Sequence, residues 1–142
     1  MGVFITPPVN IVVSAAVAYT AADALGSKQS VRVPENGVIQ TVVVQDRDSE
    51  NGDFDIVFFR ADIAGTADNA AFAPSDAELA TVLGSVTVTG YKAFNTNSIA
   101  TVANVGLGYW APTGVLFFQC VTRGTQNFTA TSDTQISFAI VY

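Results

Sequence analysis

Apolar residues recur along the chain in short runs of two kinds. Some alternate with polar residues, as in residues 85–89 (SVTVT) and 98–105, and this period of two sets one side against a core and the other towards solvent. Others are almost unbroken, as in residues 115–122 (VLFFQCVT) and 135–142 (QISFAIVY), which suits strands buried on both faces or nearly so. The longest such stretch, residues 37–60, reads as two apolar strands folded back on each other around a polar turn. Ile39, Val42, Val43, Val44, Ile56, Val57, Phe58 and Phe59 are its buried set, and Asn51-Gly52 can adopt the positive φ angles of a tight hairpin. Residues 11–19 and 30–33 are further strand candidates, the second stopped by Pro34 and the turn Glu35-Asn36-Gly37.

Helical signals are confined to two places. Residues 20–26 suit one short turn ending at Gly26. Ser75 and Glu78 are spaced as a capping box behind Pro74, with Ala77, Leu79, Ala80, Val82 and Leu83 as an apolar face and Gly84 as the stop, so a short helix is predicted near 75–83. Residues 64–73 read as a loop with a turn at Asp68-Asn69 and Phe72 as an anchor, residues 91–94 as a short continuation of the preceding strand, and residues 123–133 as polar and turn-rich. Gly106, Gly108, Tyr109, Trp110 and Pro112 read as an aromatic-rich loop, in which Trp110 is either a core or interface anchor or a binding platform. About eight strands and one short helix predict an all-β fold: a two-sheet antiparallel sandwich, jelly-roll-like.

Residues 1–10 stand apart from this pattern as an extended N-terminal arm, with residues 11–142 as the single sandwich domain. Pro7-Pro8 enforces an extended backbone, and Val3, Phe4 and Ile5 ahead of it are either a frayed terminus or a docking segment that packs on a neighbouring subunit.

Composition strengthens the expectation of a covered surface. Hydrophobic residues make up 49% of the 142 and charged residues only 13%, about half the usual share, so the exterior has to be built largely from uncharged side chains. With a mean hydropathy of +0.38 and no uninterrupted apolar run of the roughly 18 residues that a spanning helix needs, the excess apolar area points to self-association rather than a membrane. A homo-oligomer, with a trimer favoured, is expected. The net charge is −6 and the six Lys and Arg residues are scattered, which argues against direct nucleic-acid binding. The N-terminus lacks the basic region of a secretory signal, so synthesis in the cytoplasm is expected.

Candidate chemistry is sparse. There is no histidine, which removes the commonest general base and metal ligand, and Cys120 sits alone in an apolar run as a buried small hydrophobe. No P-loop, dinucleotide fingerprint or CxxC occurs, and nothing marks any pair among Asp46, Asp55, Asp62 and Asp68 as lying in a sugar cleft. No enzymatic activity, cofactor or metal is expected. Asp46, Asp48, Asp53 and Asp55 crowd one end of the predicted hairpin, as a solvated acidic turn or a cation site; the spacing fails as an EF-hand because Gly52 is one place late and Val57 stands where Glu is needed.

The chain resembles a widespread group of small virion structural proteins of tailed bacteriophages. The resemblance rests on Tyr19-Thr20-Ala21 with Asp23 and Gly26, on Gly37-Val38-Ile39-Gln40, on residues 66–72 (TADNAAF) followed by Ser75-Asp76-Ala77-Glu78-Leu79, and on Arg123-Gly124-Thr125. It implies a virion component, most naturally a cement or decoration protein on the capsid exterior that contacts the major capsid protein. Neck, tail or head-fibre positions, or a receptor- or glycan-binding module, are the alternatives. The expected interface residues are Val3, Phe4 and Ile5 in the arm and Tyr109 and Trp110 in the aromatic segment.

Overall fold

The computed structural model describes residues 1–142 and contains ten strands and one helical turn. In chain order these are β1 (Val3–Ile5), β2 (Val9–Ile11), β3 (Ala24–Arg32), β4 (Asn36–Asp46), β5 (Phe54–Phe59), α1 (Asp76–Leu79), β6 (Val82–Val88), β7 (Lys92–Ala93), β8 (Ser98–Trp110), β9 (Val115–Thr122) and β10 (Thr134–Val141). A six-stranded sheet runs β1-β10-β4-β8-β7, with β2 also paired to β10, and a four-stranded sheet runs β3-β9-β5-β6. All pairings are antiparallel. The pairs β2·β10, β3·β9, β4·β8 and β5·β6 are those of a long ribbon of eight strands folded over on itself, which is the jelly roll.

This topology corrects the predicted hairpin. β4 and β5 do not pair; they lie in opposite sheets, and residues 47–53 carry the chain across the edge of the sandwich. The polar turn is real but it is an arch. The Asp46 carboxylate accepts from the backbone N–H of Asp48 (3.0 Å) and of Asn51 (2.8 Å), while Ser49 and Asn51 hold φ of 52° and 54°. Two apolar strands joined by a turn satisfy either arrangement, and the inward faces of β4 and β5 bury each other across the core.

Other boundaries shift for local reasons. Residues 20–26 form no helical turn: Gly26, at φ 76°, lies inside β3, where an added Cβ would sit 2.6 Å from Ile11 Cγ2. Replacing Gly26 with Ala is therefore expected to destabilise the protein by at least about 1–2 kcal/mol from the left-handed backbone alone, measured as a lowered urea midpoint. The strand expected over residues 11–19 stops at Ile11. The capping box at Ser75 and Glu78 is present, but only one turn follows; α1 buries no residue, and Val82, Leu83 and Gly84 belong to β6. The glycines at 106 and 108 interrupt nothing. They lie in the thirteen-residue β8, where Asn104 and Gly106 take positive φ opposite a register shift between Ile39 and Thr41 of β4, as a β-bulge requires.

The core fills the space between the sheets. Phe58 and Phe118 from the four-stranded sheet meet Phe138 from the six-stranded one, with ring centroids 5.3 to 5.9 Å apart. Ile39, Val42, Val44, Ile56, Ile136 and Ile140 surround them at 0% exposure. Cys120 is buried and unpaired.

A second packing unit joins two of the motif segments quoted above, residues 19–26 and 66–72. The Asp68 carboxylate accepts from Tyr19 Oη (2.6 Å), Ser14 Oγ (2.6 Å) and the Gly26 N–H (2.7 Å). Around it, the backbone of residues 22–24 is hydrogen-bonded to that of residues 69–72. These motifs are thus a structural joint that pins the long 60–81 connection onto the sandwich.

Candidate interface on the six-stranded sheet

The two sheets differ in what covers their outer faces. Because Phe58 and Phe118 point into the core, their neighbours Phe59 and Gln119 project from the outer face of the four-stranded sheet, yet both are 0% exposed. The 60–81 connection covers them: Gln119 Nε2 donates to the Thr66 carbonyl (2.7 Å) and the Gly26 carbonyl (3.1 Å), and its Oε1 accepts from the Thr66 N–H (3.1 Å). Both salt bridges, Lys28–Asp62 at 2.9 Å and Arg123–Asp55 at 2.8 Å, also involve this sheet or its covering segment.

No segment of the chain crosses the outer face of the six-stranded sheet. Phe138, Val42 and Val102 point inward in register, so the alternate residues face out: Gln135, Ser137, Ala139 and Val141 on β10, Val38, Thr41, Val43 and Gln45 on β4, and Ile99, Thr101, Ala103, Gly108 and Trp110 on β8. Val3 and Ile5 of β1 and Asn10 of β2 extend the face at one edge. None of these residues is ionisable; the charges at the margin are Lys92 on the two-residue edge strand β7, opposite Ile99, and the exposed Arg47 just past β4, beside Gln45 and Ile99. The face is also graded. Trp110, Val38, Val3 and Ile5 make one end apolar, and Asn10, Gln45 and Gln135 make the other a row of amides.

The expected interface residues divide between the two sides of this sheet. Val3 and Ile5 are 69% exposed and Trp110 is 64% exposed, all on the outer face. Phe4 faces the other way and packs on the core. Residues 1–10 are extended but lie along β10, with the Thr6 N–H bonded to the Phe138 carbonyl (2.9 Å) and the Phe138 N–H to Thr6 Oγ1 (2.9 Å). Tyr109 and Trp110 alternate across β8, so they form no common platform: Tyr109 is buried and its hydroxyl donates to the Pro34 carbonyl at 3.2 Å. Gly37, whose Cβ would lie 3.1 Å from the Tyr109 hydroxyl, leaves the room for that ring. Thr41, Thr101 and Ala103 were not singled out by sequence, and Val38 only as part of a motif, because only the register separates them from their inward neighbours.

The acidic residues of the 46–55 segment do not converge on a point. Asp46 is buried in the arch, and burial raises its carboxyl pKa above the usual carboxylate range against the pull of its two backbone donors. Asp48 accepts from the Thr129 N–H (3.0 Å), and Asp55 binds Arg123 and Thr87 Oγ1 (2.8 Å) in the other sheet. No cluster of three or more His, Cys, Asp or Glu residues stands in metal-binding geometry. Between the sheets a cavity of about 10 Å³ lies beside Asp46, Gln126 and Thr134, space for a single water.

No helix is long and apolar enough to cross a membrane. The sequence matches no protein-family model, and no curated protein is recognisably similar to it. The functional reading therefore rests on the fold, the outer face and the motifs quoted above.

Proposed function

We propose that this chain is a non-enzymatic virion structural protein of tailed bacteriophages, a cement or decoration protein on the capsid exterior that stabilises the head by bridging major capsid protein subunits. The observation that supports it most is the bare outer face of the six-stranded sheet, without acidic side chains and with charge only at its margin, on a jelly roll. A cement protein performs no chemistry; it works by burying surface in an assembly, and on a symmetric shell each contact is repeated many times. Jelly rolls recur in viral capsid and lectin domains, so the fold is compatible with the reading without deciding it. The motif resemblance supplies the particle. Quantifying this chain against the major capsid protein in purified particles tests the proposal: copies in the hundreds are expected, and a count of roughly six or twelve, the symmetry of a portal or tail ring, would overturn it.

A glycan- or receptor-binding module is the second reading, favoured by the exposure of Trp110 beside a shallow groove lined by Asn36, Val38, Gly108 and Tyr142. Trp110→Ala separates the two. Assembly lost with the fold intact supports cement, whereas sugar binding lost with assembly intact supports the module.

A further inference from the structure

We infer that the outer face of the six-stranded sheet is the site where a second copy of this chain docks, in an isologous pair. Its relief is self-complementary. Val3 and Ile5 stand at the β1 edge, and in the same cross-strand rows, on the far side of β10 and β4, lie Gly108 and Ala103 of β8. A twofold axis running with the strands, in the plane between two such faces, exchanges the β1 and β8 sides. It lays Val3 of one copy over Gly108 of the other and Ile5 over Ala103, large on small, twice over. The same rotation keeps apolar end on apolar end and amide end on amide end.

Charge favours the same occupant. At −6 two copies repel on average, and this face lets them approach without setting one carboxylate against another. The four overlapping strands, β1, β10, β4 and β8, about 4.8 Å apart, and rows about 6.7 Å apart give a footprint of roughly 19 by 27 Å, which approaches the ~600 Å² per partner at the low end of standard interfaces once side-chain relief is counted. A ring of three through this face would need a second, different patch to complement it. The pairing needs nothing from the virion reading, but it serves it: each pair offers two surfaces to the shell.

Sedimentation of the purified full chain tests this without any particle, so it can fail while the virion reading stands. The expected result is a species of twice the 14.8 kDa chain mass at micromolar concentration. Ala103→Lys places a charge under Ile5 of the other copy and is expected to weaken pairing about 100-fold or more, although it lowers the net negative charge. Thr101→Lys, at an exposed position on the same face, gives the same answer should Ala103→Lys fold poorly. Ser85→Lys, at an exposed position of β6 in the other sheet, leaves pairing unchanged. A monomer at about 100 μM, a trimer's mass, or full pairing by a folded face variant each overturns the inference.

Discussion

Replacing Asp68 with Ala is expected to lower the unfolding free energy by about 3–5 kcal/mol, more than most single surface changes. Asp68 itself is only partly buried, but its carboxylate is the sole acceptor drawn on by three donors, Ser14 Oγ, Tyr19 Oη and the Gly26 N–H. Tyr19 is 2% exposed and its ring packs edge-on against Phe128 at 6.2 Å, so the hydroxyl cannot swing out to water when its acceptor is removed. The Gly26 amide is fixed within β3. Each stranded donor costs roughly 1–3 kcal/mol, and the two together set the estimate. Urea denaturation measures it, and a double-mutant cycle with Tyr19→Phe isolates the shared part. Coupling of about 1 kcal/mol or more is expected, whereas additive effects would mean that the joint is not cooperative.

Alkali is expected to unfold the protein within about one to three pH units above pH 10. Burial is the chief cause of a raised phenol pKa at three tyrosines. Tyr109 is pushed up to about 12, and Tyr19 and Tyr91 are pushed higher still, Tyr19 further by its bond to Asp68 and Tyr91 by the charges of Asp46 and Asp53. Burial raises the Cys120 thiol in the same direction. Because the folded-state values are raised, the stability linked to these groups is fully present below their unfolded values and is lost as pH rises above them. Each phenol then removes about 1.4 kcal/mol per pH unit, so the three together remove about 4 kcal/mol per unit above pH 10. Tyrosinate absorbance should therefore rise in step with the loss of β-sheet circular dichroism. Phenols that all ionise near pH 10 in a protein that stays folded would contradict the burial described for Tyr19, Tyr91 and Tyr109.

What was legible in the sequence follows from which physical signals are local. β9 occupies residues 115–122 as predicted, because an unbroken apolar run flanked by turn residues needs little context. The Ser75 and Glu78 capping box is present because its bonds lie within four residues, at 3.1 and 2.7 Å. The arch at 47–53 was not legible. Asn51 does take a positive φ, but Gly52 does not and the turn itself lies at Arg47-Asp48; whether the following strand pairs with β4 or faces it across the core depends on β8 and β10, which flank β4, and on β6 and β9, which flank β5. Gly26 and Gly106 illustrate the same limit: each marks a positive φ, and a glycine reads alike at a helix end, a loop or a bulge.

The candidate face was legible only at its rim. Val3, Ile5 and Trp110 attract attention as large apolar residues in polar or proline-rich surroundings. Its centre, by contrast, is built from Thr41 and Val43, in a stretch that reads as largely buried, and from Thr101 and Ala103, in a strand that reads as alternating but whose small residues mark neither side as the core. Assigning them needs the register, since a shift of one residue would exchange the two faces.

The central claim is that this chain acts by being covered in a repeated assembly, and imaging the particle at a resolution that separates strands tests it most directly. The account predicts hundreds of copies on the outside of the head, with the outer face of the six-stranded sheet occluded against a second copy. A single ring of roughly six or twelve copies at the portal or along the tail, with that face open to solvent, would contradict it.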